Sequence, residues 1–185
     1  MTVDEAHAIL HRNCSLDVGK FYGAQKNLSL GAGLVYESVR CPVFDINEKL
    51  FMTVESVAYV LTHECDVDPA NNRAFNDYVT ICPLIPIADF ITEYEVEFQD
   101  FARLNNFLVA VARREVSRVV YIPPGPKPLN YGAFAYLNNL ASTHVSAFEN
   151  VPPLAAVSAY GLQEFDQALT NHLLRPKSDW LSFTH

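Results

Sequence analysis

Residues 57–66 read V-A-Y-V-L-T-H-E-C-D, and after a polar loop residues 78–87 read Y-V-T-I-C-P-L-I-P-I. Both runs are rich in β-branched and aromatic residues and are bounded by turn formers, the pattern of two paired strands of one sheet. The loop between them, 67–77, carries Asp68, Pro69, Asn71, Asn72, Asn76 and Asp77. That is turn chemistry rather than helix chemistry. The first strand is expected to run from Val57 to Cys65 and to end in His63-Glu64-Cys65-Asp66, the most chemically dense spot in the chain.

Upstream, L-S-L-G-A-G-L-V-Y-E-S-V-R-C-P-V-F at 28–44 sets Gly31 and Gly33 ahead of a strand over Leu34–Phe44. Asp45, Ile46, Asn47 and Glu48 then turn the chain into a short strand over Leu50–Val54. Nearer the N-terminus, Thr2 or Asp4 is placed to cap a helix through Ala6, Ile9 and Leu10. Downstream of Ile87 the period changes. Phe98, Phe101, Leu104, Leu108 and Ala112 recur at three- and four-residue steps, which predicts one long helix over 95–115, with Arg113 and Arg114 at its solvated C-terminal end. S-R-V-V-Y-I-P-P at 117–124 reads as a strand stopped by prolines, and a further extended stretch is expected from Ala133 to Leu140, running on toward Phe148. A last helix starts near Ser158, passes Leu162, Phe165, Leu169 and Leu173, and ends at Arg175-Pro176, followed by Trp180-Leu181-Ser182-Phe183, which is expected to fold back. Short strands at close spacing with two helices give an α+β domain: a mostly antiparallel small barrel or strongly bent sheet over 31–87 and 118–148, a long central helix over 95–115 and a C-terminal helix over 158–175. No repeat or linker divides residues 1–185, so a single domain is expected.

Half of the 185 residues are hydrophobic, enough for a packed core. Thirteen Lys and Arg against 21 Asp and Glu give a formal charge of −8. Such a surface repels phosphate backbones, so nucleic acid is a disfavoured partner and a protein partner, including a second copy of the chain, is favoured. No apolar run reaches the roughly 18 residues of a membrane helix, and the N-terminal residues lack a basic region followed by an apolar one. A soluble, cytoplasmic protein without membrane contact is expected. Cys14, Cys41, Cys65 and Cys82 show no close paired spacing and read as reduced thiols.

On a strand, His63 and Cys65 would share one face while Glu64 and Asp66 share the other. Two chemistries follow. An imidazole beside a thiol lowers the thiol pKa and makes a nucleophile of Cys65 with His63, whereas Asp66 joins His63 and Cys65 only in a metal-assisted ribonuclease. Alternatively His63, Cys65 and Cys82, with Cys41 or another His as fourth ligand, could hold zinc, either structural or hydrolytic. The competing reading is that the cysteines are small core hydrophobes and that Asp66 and Asp68 are turn formers. On this reading the chain has no cofactor.

The order of a Gly-led strand, a V-L-T strand at Val60-Leu61-Thr62, a polar loop and a strand holding Cys82-Pro83 resembles the SH3-like barrel of the PemK/MazF toxin family over about residues 31–87. L-T-x-x-C-D at 61–66, with the Y-I-P-P strand and a terminal helix ending in Arg, also resembles an uncharacterised bacterial family. The toxin resemblance implies an SH3-like barrel and cleavage of single-stranded RNA, with an Arg just before the V-L-T strand and a Thr or Ser after the Cys-Pro strand. Here Ser56 stands at the first position and Leu84-Ile85 follow Cys82-Pro83. Cleavage needs a cation against the phosphorane charge. The sequence therefore leans away from an enzyme. What it implies is a non-catalytic bacterial binding or assembly module on a degenerate toxin-like barrel, in a toxin–antitoxin or phage-defence setting, with an enzyme centred on His63, Cys65 and Asp66 as the alternative.

Overall fold

A computed structural model describes residues 1–24, 29–45, 47–71, 74, 76–98 and 100–174. Seven antiparallel strands build one sheet: β1 (Leu34–Asp45), β2 (Leu50–Val60), β3 (Tyr78–Pro86), β4 (Val119–Ile122), β5 (Ala133–Tyr136), β6 (Ala141–His144) and β7 (Ala155–Ala156). Their order is β4-β5-β3-β2-β1-β7, and β6 follows β5 along the same edge of β3. The central pairing is the expected one, with Val57 opposite Leu84 and Val60 opposite Ile81. Along the path β1-β2-β3-β6 the outer strands β1 and β6 come within 8 Å of each other, so this part of the sheet curls like a barrel.

Strand alternation sorts the core into layers. Leu34, Tyr36, Ala58, Val60, Val79 and Ile81 point into the curl, where Phe148 and Val67 close it. Val35, Val57, Tyr59, Cys82 and Leu84 point the other way, onto α2 (Val18–Phe21) and α6 (Ala159–Leu173). There the Tyr59 ring stacks on Phe165 with centroids 4.2 Å apart. The third layer is helical. α1 (Val3–Asn13), α4 (Ile87–Phe98) and α5 (Phe101–Ala112) bury Leu10, Ile87, Phe90, Leu104 and Leu108 against Tyr121 and Phe134 of β4 and β5.

Local chemistry sets the element ends. Thr2 and Glu5 form a reciprocal capping box, which selects Thr2 over Asp4 as the first cap. Ser158 caps α6, its Oγ accepting from Gly161 N at 3.1 Å. Gly31 and Gly33 precede β1 for two reasons: a Cβ at Gly31 would run into Glu64, and Gly33 holds φ +86, a left-handed backbone that glycine alone adopts freely.

Four expectations need correction. The strands expected at Leu50–Val54 and Val57–Cys65 are one strand, β2, which stops at Val60; Glu55 and Ser56 continue it as cross-strand partners of Arg40 and Val39. The single helix over 95–115 is two, because Asp100 caps a new one, its Oδ1 accepting from Ala102 N at 2.9 Å. The long extended stretch after Ala133 is β5 and β6 separated by a 3₁₀ turn at Leu137–Asn139, with another 3₁₀ turn reaching Phe148. Of the two arginines after α5 only Arg114 departs from a solvated end, forming an ion pair with Glu164 of α6, while Arg113 stays exposed and its Nη2 donates to Asn13 Oδ1 at 3.2 Å. The helix end expected at Arg175-Pro176 and the segment Trp180–Phe183 lie outside the described residues. Among the described residues no helix is long and apolar enough to cross a membrane.

Candidate functional site

His63 to Asp66 leave the sheet. Thr62 takes the last contact with it, its Oγ1 accepting from Thr80 N at 2.7 Å. The next residues form α3, a single helical turn over Glu64–Val67 that His63 caps. His63 Nδ1 accepts from the backbone N–H of Cys65 at 3.2 Å, so this ring nitrogen serves the turn rather than the thiol. Asp68 Oδ1 accepts from Ala70 N, and Asn71 Nδ2 donates to the Cys65 carbonyl. The alternating faces expected for His63/Cys65 and Glu64/Asp66 do not exist, because strand alternation fails on a helical turn. His63, Cys65 and Asp66 are all exposed.

Cys82 sits elsewhere, fully buried in the layer under α6, where its thiol faces the carbonyls of Pro83 and Tyr136. Burial pushes that thiol up to about 12, and pushes the buried Cys41 up to about 11. Neither is disposed to become a thiolate ligand or nucleophile near neutral pH. Exposed Cys65 and buried Cys82 are not brought together. Among the described residues no group of three or more His, Cys, Asp and Glu side chains is placed to share a metal ion.

A concavity lies where β2 and β3 part. Among the described residues their ladder covers Val57–Val60, and over 50–56 β2 pairs with β1, forming a two-stranded arm with residues 39–45. In the same register Pro86 would come opposite Glu55, where it has no N–H to give, and the chain instead turns into α4 at Ile87. The resulting cleft has a volume of about 680 Å³. Val54 and Val57 of β2 form one wall and Leu84, Ile85 and Pro86 the other.

Four carboxylates open onto this cleft. Glu37 comes from β1 at the bulge between Tyr36 and Val39, Glu55 from β2, and Asp89 and Glu93 from successive turns of α4. Ser38 Oγ donates to Glu55 Oε2 at 2.9 Å, fixing one of them. Among the described residues no Lys, Arg or His lines it. Ser56 and Leu84-Ile85 are part of the same lining.

Sequence reasoning missed this cleft for a traceable reason. Placing the central helix at 95–115 left Asp89 and Glu93 in a connection, whereas a helix from Ile87 aligns them at i and i+4 on one face. A second, smaller pocket of about 260 Å³ is walled by Phe90, Phe98, Phe107 and Phe134, with Arg118 also lining it. The chain matches no protein-family model and no curated protein.

Proposed function

We propose that this protein is a non-catalytic binding module whose cleft between β2, β3 and α4 takes a cationic segment of a protein partner. One observation carries the reading: Glu37, Glu55, Asp89 and Glu93 converge on an apolar-walled cleft that no cationic side chain lines among the described residues. A cation entering the cleft meets four carboxylates, and the apolar lining excludes water from part of the contact. The same charges repel a phosphate backbone, which supports a protein partner over RNA.

The resemblance to the PemK/MazF barrel supports a degenerate toxin-like scaffold in a bacterial toxin–antitoxin or phage-defence setting, acting in the cytoplasm. The enzyme alternative at His63, Cys65 and Asp66 draws no support from a ring nitrogen that caps a turn and a thiol left in solvent.

The test is titration of a fluorescent Lys- and Arg-rich peptide into the full chain, followed by anisotropy at low and high salt. Binding that weakens with salt and is lost in the Glu37→Gln, Glu55→Gln, Asp89→Asn, Glu93→Gln variant supports the reading. Equal binding by that variant overturns it.

A further inference from the structure

We infer that the pocket walled by Phe90, Phe98, Phe107 and Phe134 is a second binding site, and that it takes a small amphipathic anion, one apolar ring joined to a carboxylate by a short chain. The inference is separate from the cleft reading. α4 gives Asp89 and Glu93 to the cleft and Phe90 and Phe98 to the pocket, so different faces of one helix serve the two.

The first observation is the aromatic lining. Asp100 starts α5 as a new helix that packs on α4, and this brings Phe98 at the end of α4 to Phe107 of α5 with ring centroids 5.1 Å apart. Phe90 stands 5.8 Å from Phe107 and 4.9 Å from Phe134 of β5. Phe90 and Phe134 are buried, but Phe98 and Phe107 are only half-buried, so part of the ring surface borders the pocket instead of being packed away. Water among phenyl rings finds few hydrogen-bond partners, and an apolar ring displaces it favourably. The volume of about 260 Å³ falls below the roughly 300–1,000 Å³ of sites for drug-sized ligands, which restricts the occupant to a single ring with a short chain.

The second observation is the polar end of the pocket. Arg118 and Tyr136 line it where β4 begins and β5 ends. Val119 pairs with Tyr136, and the Arg118 carbonyl accepts from Leu137 N at 2.9 Å, so the sheet holds these two residues side by side. Among the described residues no Asp or Glu lines the pocket, and no carboxylate partners the exposed Arg118 guanidinium. The Tyr136 hydroxyl accepts from Asn138 Nδ2 at 3.5 Å, which leaves its own proton for an acceptor. A guanidinium and a hydroxyl are both donors and together suit a carboxylate. The same guanidinium opposes a quaternary ammonium, the cation that aromatic cages otherwise select.

The experiment titrates phenylacetate, phenylacetamide and phenethylamine into the full isotope-labelled chain and follows the backbone amide signals by NMR. Phenylacetate should shift the amides of Val119 and Tyr136 saturably. Phenylacetamide should bind about three- to fivefold more weakly, the range that one exposed charge pair supplies. Arg118→Gln should erase the preference for the acid and leave binding of the amide in place. Phe107→Trp, which fills the pocket, should abolish binding of both once its unfolding midpoint shows it folded. Arg118→Gln alters an exposed side chain, so the test stays decisive even where Phe107→Trp fails to fold. Equal affinity of acid and amide, tighter binding of the amine, or an acid preference that survives Arg118→Gln overturns the inference. The absence of saturable shifts, shifts confined to the cleft around Glu55, or unchanged binding by folded Phe107→Trp overturns it as well, and none of these outcomes touches the cationic partner proposed for the cleft.

Discussion

At the scale of single residues, the four cysteines divide by environment rather than by spacing. Cys65 stands in solvent on α3, while Cys41 and Cys82 are fully buried and their thiols are held up at about 11 and about 12. A thiol reagent added to the native protein should therefore label Cys65 fast and leave Cys41 and Cys82 untouched until denaturant is added; fast labelling of Cys82 would contradict the packing under α6. The pH dependence has a definite sign. In the unfolded chain these thiols ionise near 9.0, and in the folded one only near 11 and 12. Their contribution to stability is therefore complete below about pH 9 and is lost as the pH climbs from there through 11 to 12. Denaturant midpoints measured from pH 8 upward should fall, and the fall should shrink in Cys82→Ala relative to that variant's own value at pH 8. His63 is a cap on one exposed turn, so His63→Ala should cost no more than about 1 kcal/mol in chemical denaturation. Cys65→Ala and Asp66→Asn should leave peptide binding unchanged; loss of binding in the folded Cys65 variant would move the site back to that turn.

At the scale of elements, the strands were legible wherever alternation and β-branching coincided. Val57–Val60 pair with Ile81–Leu84 as their pattern predicts, and β1 begins at Leu34 behind its glycines. Legibility failed where polar residues serve structure. Glu55 and Ser56 read as a break because they interrupt an apolar run, yet on a solvent-facing arm polar residues are what a strand carries. His63 to Asp66 read as a strand end because Thr62 and Cys65 suit strands, but turn bonds from His63 and Asn71 outcompete the ladder there. Asp100 read as helix surface and is a cap. Asp100→Ala should therefore destabilise by about 1 kcal/mol, and Asp100→Ser should restore most of that, as measured by urea unfolding. The docking of α6 is tighter. A Cβ at Gly161 would overlap the carbonyl of Phe21 and the side chain of Val157. Gly161→Ala should thus cost about 1–3 kcal/mol despite the better helix propensity of alanine. A stabilised Gly161 variant would contradict the packing of α6 on α2.

At the scale of the whole molecule, the formal charge of −8 takes on a location. Composition alone disfavours phosphate backbones without saying which surface meets a partner. The parting of β2 from β3 concentrates Glu37, Glu55, Asp89 and Glu93 in one cleft, and three separate elements must fold before those carboxylates meet. That is why no local motif announces the site. Exposed charge pairs are each worth about 0.2–1 kcal/mol, so neutralising four should weaken a cationic peptide by about 1–4 kcal/mol in sum. The most direct measurement is the anisotropy titration of the Lys- and Arg-rich peptide against the native chain and the E37Q, E55Q, D89N, E93Q variant, each confirmed folded by its unfolding midpoint. The account predicts binding by the native chain that weakens with salt and at least about fivefold weaker binding by the variant. Equal affinities of the two folded proteins would contradict it.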